Sequence, residues 1–358
     1  MLRVLQAGRG LAAISVAAFH LSVVMSLDRY GGEGVFREYT RHGFRGVDFF
    51  FILSGFIILF AHHRDIGVPA AWKEYAYRRF VRVFPVYWIY TAGFCLLVAI
   101  GVGSNTDLPE GALDWLSSLS LVRLTNVEPP LPVAWTLFHE VAFYAMFSLL
   151  IFRKWLGIAA IALWAAACIA FYGYPMPDER TPFNVYTAGY NLFFLLGMGA
   201  FWLHGRPGRG FIELGVGLVI FVFACVTMGL PYSLSPPLLA LGLALLVAAA
   251  TKLERAGLLR VPEFLFFIGN ASYTIYLAHE SLESLLLKIA FASGFHRAAG
   301  GEVTYLLVLV LAIALGCVAY LLVEKPLLAL LKRHHKRAST RRADAPLPAG
   351  ERVQREGA

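Results

Sequence analysis

The sequence predicts an all-α, polytopic integral membrane protein with about ten transmembrane helices and both termini in the cytoplasm. Three observations predict it: an excess of apolar residues, their grouping into blocks of membrane-spanning length, and the sidedness of the basic residues. Of the 358 residues, 58% are hydrophobic and 15% charged, where a soluble domain has about 45–50% and about 25%. Mean hydropathy is +0.65. A helix crosses a bilayer with roughly 20 apolar residues. Blocks of that length fall near 5–27, 46–61, 83–103, 134–152, 155–173, 188–204, 211–229, 236–250, 264–292 and 303–323. The first reads as a span and not a cleavable signal peptide, because a charged loop follows it.

Ten crossings put both ends on one side. Of the 31 Lys and Arg, 23 lie in the segments that share a side with the termini, and 7 lie opposite. Basic loops stay in the cytoplasm, so the termini are placed there. The formal charge of +8 is then a topology signal, and no nucleic-acid partner is expected. The blocks define a transmembrane domain over 1–331. The remaining 332–358 is basic and poor in apolar residues, the composition of a disordered cytoplasmic tail drawn to anionic lipid.

Cys95, Cys168, Cys225 and Cys317 all fall inside apolar blocks, and no CxxC pair occurs. Neither a disulfide framework nor a metal site is expected from them. His62-His63 and His334-His335 sit among basic residues and read as membrane-surface pairs. With no P-loop, GxGxxG or repeat, any chemistry belongs in or beside the membrane.

Polar residues inside the spans carry the functional signal, because lipid makes each of them costly. Arg9 and His20 are eleven positions apart, three turns plus about 20°, so they share a face about 16 Å apart along the axis. His20 lies too deep to reach water, and its imidazole suits proton transfer. Arg9, at the inner boundary, reads either as a snorkelling anchor or as a member of the site. In "GVDFFFILSGFII", Asp48 marks the outer end and Ser54 lies two turns deeper. Ser54-Gly55 permits close helix packing, and Asp48 is open to water or to Arg45. In "YRRFVRVFPVYW", Arg78, Arg79 and Arg82 form a basic face at the inner mouth of the third span. They read as positive-inside anchors or as a polyphosphate site.

Glu140 lies about 9 Å below the outer surface in the fourth span, the layer expected for His20. In the ninth, Ser272, Tyr276, His279 and Glu283 form a polar stripe that Tyr273 and Glu280 widen. Such a stripe faces a cavity or the bundle interior. Glu324-Lys325-Pro326 closes the tenth span and reads as structural.

The R-x10-H pair, "GVDFFFILSGF", "RRFVRVFP", "WTLFHE" and "SYTIYLAH" follow one another in that order. Together they resemble the membrane acyltransferase-3 family, nearest its exopolysaccharide-production acetyltransferases, over about 5–326. The resemblance implies a ten-helix enzyme of the bacterial cytoplasmic membrane. It would take an acyl group, usually acetyl, from cytoplasmic acyl-CoA and place it on a sugar hydroxyl at the outer face. The acceptor would be a glycan, free or lipid-linked, supplied by polysaccharide assembly proteins, with acyl-CoA as the donor and no metal. Position by position, His20 and Arg9 match the family's essential pair and Arg79 and Arg82 its RxxR donor motif. Glu140 matches the acid of its Trp-Thr/Ser-Leu motif. His139 departs from the aromatic residue frequent there. On this reading His20 takes the hydroxyl proton and Glu140 orients it, while Arg78, Arg79 and Arg82 hold the donor phosphates. Asp48, Ser54, Ser272, Tyr273, Tyr276 and His279 line the cavity. The rival from another class is a proton-coupled exporter with His20, Glu140 and His279 as a relay; a noncatalytic assembly partner is a third.

Overall fold

The computed structural model describes residues 2–30, 32, 34–101, 108–171, 180–227 and 235–343. The described residues are helical with no strand. Ten long helices occupy the ten apolar blocks: α1 (Arg3–Met25), α2 (Gly46–His62), α3 (Trp72–Ala99), α4 (Trp135–Phe152), α5 (Lys154–Ala170), α6 (Tyr190–His204), α7 (Phe211–Val226), α8 (Ser235–Arg255), α9 (Glu263–Ala292) and α10 (Gly301–Ala319). Six spans among the described residues are long and apolar enough to cross a membrane by composition alone, and α5 and α7 are shorter apolar helices. The expected block ends at 102–103, 172–173 and 228–229 lie outside the described residues.

Two boundaries differ from the sequence expectation. α3 begins at Trp72, eleven residues before its apolar block, and carries Arg78, Arg79 and Arg82 on its first turns. Helix also continues past α10 through a π-helical turn, Tyr320–Glu324, into α11 (Lys325–Ala343). The first residues assigned to the tail are thus helical, and 344–358 lie outside the described residues. α11 docks on α3, where the Tyr77 hydroxyl donates to the Leu331 carbonyl at 3.0 Å.

Packing rests on glycines. In lipid, helices associate by close contact, which small residues permit. α1 packs mainly on α9 and α2 mainly on α6. Gly10 lies against the Gly269 backbone, and a Cβ on Gly269 would collide with the Gln6 carbonyl. Gly55 and Gly197 do the same for α2 and α6, each blocked by a backbone carbonyl, of Phe194 and Ile52 respectively. α1 and α9 run parallel, because Gly10 meets Gly269 and, further along both helices, His20 meets His279. Gly197→Ala is expected to lower stability by about 1–3 kcal/mol, the usual cost of overpacking. Thermal unfolding in detergent checks this, with the exposed Gly199→Ala, which meets nothing within 4 Å, as the neutral control.

Candidate functional site

The polar residues of α1, α2, α3, α4 and α9 converge on two cavities. The inner one is lined by Arg9, Ser54, Arg82, Glu140, Ser272 and Tyr273 among others. The outer one is lined by His20, Asp48, Phe44, Trp135 and Tyr190. Val47 and Tyr276 line both, so the cavities meet at these two side chains.

The charged residues that line the inner cavity, Arg9, Arg82 and Glu140, each have a hydrogen-bond partner. Arg9 Nε donates to Ser272 Oγ at 3.1 Å. Arg82 Nη1 donates to Glu324 Oε1 at 3.0 Å, and its guanidinium lies 5.1 Å from the Tyr273 ring centroid. The other oxygen of Glu324 accepts from Thr274 Oγ1 at 2.7 Å. Glu324 ends the π-helical turn and is buried, so the change in helical pitch presents its carboxylate to α3 and α9. π turns recur at functional sites for this reason. Glu140 accepts from Ser54 Oγ at 3.2 Å and from the Tyr144 hydroxyl. Arg79 stacks toward Tyr144, 5.7 Å from its ring centroid.

The outer cavity is built on His20. Its Nδ1 lies 2.9 Å from Glu280 Oε1 and 2.9 Å from His279 Nε2. The proton positions follow from chemistry. The Tyr276 carbonyl, 2.8 Å from His279 Nδ1, can only accept, so that nitrogen carries the hydrogen and His279 Nε2 offers its lone pair. With a carboxylate and a lone pair both facing it, His20 Nδ1 holds the proton of the neutral ring. His20 Nε2 is left as the basic nitrogen. Asp48 is buried and lies 3.5 Å from Arg45 Nη1.

The structure corrects two sequence expectations. Glu140 is not the partner of His20: it lines the inner cavity while Glu280 takes that place. Of the three arginines only Arg82 lines the cavity: Arg79 lies over the Tyr75 and Tyr144 rings, and Arg78 is exposed and bonds Glu74 within its own helix at 2.6 Å. Arg9, Ser54, Arg82, Glu140, Ser272, Tyr273 and Tyr276 are brought together at the inner cavity, and His279 lies behind His20. Tyr276 is fixed by Thr136 Oγ1 and the Val133 carbonyl, each 3.0 Å from its hydroxyl. Glu283, the outermost member of the stripe, is buried with neither carboxyl oxygen partnered among the described residues. His139 bonds Asn191 at 2.9 Å, away from His20.

Fold and site define a polytopic membrane protein with an internal polar path, basic at one end and histidine-bearing at the other. A family model described as "Acyltransferase domain" matches residues 3–322, and the chain belongs to this acyltransferase-3 family. It is similar to "Exopolysaccharide production protein ExoZ" of Rhizobium meliloti, 32% identical over 311 residues, covering 81% of this chain and 92% of that protein. It is also similar to "Acyltransferase MdmB" of Streptomyces mycarofaciens, 26% identical over 398 residues with 95% and 94% covered. "Nodulation protein 10" of Rhizobium leguminosarum bv. viciae is 25% identical over 327 residues, with 80% and 82% covered. No solved structure matches. The protein is a membrane acyltransferase, which decides against the exporter.

The two arginine pairs separate cleanly by energetics. Glu324→Ala leaves Arg82 and Thr274 without their buried acceptor, and is expected to cost about 3 kcal/mol. Arg78→Ala breaks only an exposed i, i+4 pair and is expected to cost under about 0.5 kcal/mol. Unfolding curves of the two variants in the same detergent check the contrast.

Proposed function

We propose that the enzyme transfers an acetyl group from cytoplasmic acetyl-CoA to a hydroxyl of an exopolysaccharide or other cell-surface glycan, in the bacterial cytoplasmic membrane. The observation that carries this reading is the pair of cavities meeting at Val47 and Tyr276, with Arg82 on one and His20 on the other. The similarity to a protein named for exopolysaccharide production supports the acceptor class, and the basic residues of the termini and inner loops support the orientation. Both termini then lie in the cytoplasm, and the donor enters where α3 and α11 meet.

Arg82 and Arg79 bind the donor phosphates through guanidinium hydrogen bonds. Arg9, deeper on the same path, holds the donor toward His20. The acyl carbon is attacked by the acceptor hydroxyl oxygen. His20 Nε2 accepts the hydroxyl proton as the C–O bond forms, the C–S bond breaks, and the proton passes to the thiolate. Glu280 and His279 keep the His20 proton on Nδ1, which leaves Nε2 basic, and Glu280 stabilises the imidazolium. Glu280 thus takes the role that the sequence suggested for Glu140. Glu140, beside Arg9 and Arg82 in the inner cavity, sets the charge that the donor meets.

Inside-out vesicles given acetyl-labelled CoA test the reaction, with label followed into lumenal or lipid-linked glycan. Wild type is expected to transfer label, and His20→Ala to lose about 10²–10⁴ in kcat. Near-normal transfer by His20→Ala would remove the base assignment. No transfer by wild type, with acceptor demonstrably present, would overturn the reading. In the same assay Arg82→Ala is expected to raise the donor KM before it lowers kcat. Glu280→Gln should instead lower kcat with the donor KM held, whereas Glu140→Gln acts on the donor KM.

A further inference from the structure

We infer that His20, His279 and Glu280 form a binding site for a divalent cation of zinc-like chemistry, reached from the outer face, and that its occupation switches the enzyme off. The binding site stands independently of the proposed function; the inhibition rests on it.

The donor set is two imidazoles and one carboxylate, whose ligand atoms all lie within 4.8 Å of one another. Three lone pairs converge on a single proton, the one on His20 Nδ1, with 2.9 Å to His279 Nε2 and 2.9 Å to Glu280 Oε1. A cation can replace that proton. A tetrahedral zinc ion at about 2.0–2.1 Å from each donor needs them roughly 3.3 Å apart, so the rings have to spread by a few tenths of an ångström. His279 is already prepared as a ligand: its Nδ1–H is held by the Tyr276 carbonyl at 2.8 Å, the outer hydrogen bond that fixes a ligating imidazole. His20 lies deep in its span by sequence, yet it lines the outer cavity, and its side chain and that of Glu280 are 25% and 31% exposed, so the outer cavity is the route to the site. Two histidines and one acid leave a fourth coordination position for water.

The consequence follows from the tautomer. A neutral imidazole carries one hydrogen. A metal on Nδ1 sends it to Nε2, the nitrogen that has to accept the hydroxyl proton. The base becomes a donor, and transfer stops although the ring has not moved away.

The test uses tag-free, chelator-stripped, full-length protein in nanodiscs, titrated with Zn²⁺ against a chromophoric chelator. One zinc per chain is expected for wild type, with affinity lowered more than about tenfold in both His279→Ala and Glu280→Gln. No stoichiometric site, or binding unchanged in both variants, overturns the proposal; the latter would place the metal at His62-His63 or His334-His335. A measurement on wild type alone guards against variants that fail to fold. Zinc should protect His20 from diethyl pyrocarbonate, read by mass spectrometry, and absence of protection also overturns the site. Zn²⁺ applied to the outer face should then abolish acetyl transfer by wild type, with activity restored by chelator. Active enzyme that binds zinc at these residues without inhibition overturns the switch. Specific binding by a protein with no transferase activity under any condition leaves the site standing and removes the proposed function instead.

Discussion

The contact between α1 and α9 sets the rest of the site. Two parallel helices that touch at Gly10 and Gly269 have one axial register, and every later pair along them follows from it. Arg9 meets Ser272 near the crossing, and His20 meets His279 and Glu280 further out. Leu21 and Met25 then pack against Leu287. A one-turn slip would carry His20 about 5.4 Å along the axis, beyond hydrogen-bond reach of both partners. The glycine faces are therefore part of the chemistry, since lipid supplies no hydrophobic force to hold two helices in register.

The second constraint is that charge in a low-dielectric interior needs company. Arg82 has Glu324, Arg9 has Ser272 with Glu140 across the cavity, and His20 has Glu280. This pairing offsets the cost of burying each charge. The π-helical turn at Tyr320–Glu324 is the local irregularity that makes it possible at Arg82. Regular helix through 320–324 would rotate Glu324 relative to Thr274 and Arg82.

The sequence exposes the ten helices because a bilayer imposes a composition on each span, and composition is local. It also places Arg9 and His20 on one face, since both belong to one helix of known pitch. Partnership between helices is a different matter. Depth suggested Glu140 for His20, but depth fixes only the axial coordinate; α4 is rotated so that Glu140 meets Ser54 and Tyr144. Glu280 was visible only as a widening of the α9 stripe, and what singles it out is the glycine-set register with α1. Arg78 was grouped with Arg82 by its i, i+4 spacing. Glu74, one turn earlier on the helix that starts at Trp72, draws it outward. Glu324 read as the end of a span because a π turn leaves no trace in hydropathy.

The division of the interior into two cavities bears on what has to cross the membrane. On the proposed reaction, a donor carrying phosphates would be held at Arg82 and Arg9 on one side and a glycan would stay on the other. On that reading only the thioester end of the donor has to pass Val47 and Tyr276. Tyr276 is pinned by Thr136 and Val133, so of the two side chains shared by the cavities Val47 is the smaller one and has no polar anchor. The proposed acetyl group is small enough to suit such a route. Enlarging it by Val47→Ala is then expected to extend the donor range toward longer acyl chains, whereas Val47→Phe should suppress transfer while sparing the donor contacts at Arg82. Competition between acetyl-CoA and butyryl-CoA in the vesicle assay measures both effects, and an unchanged preference in Val47→Ala would show that the acyl group takes another route.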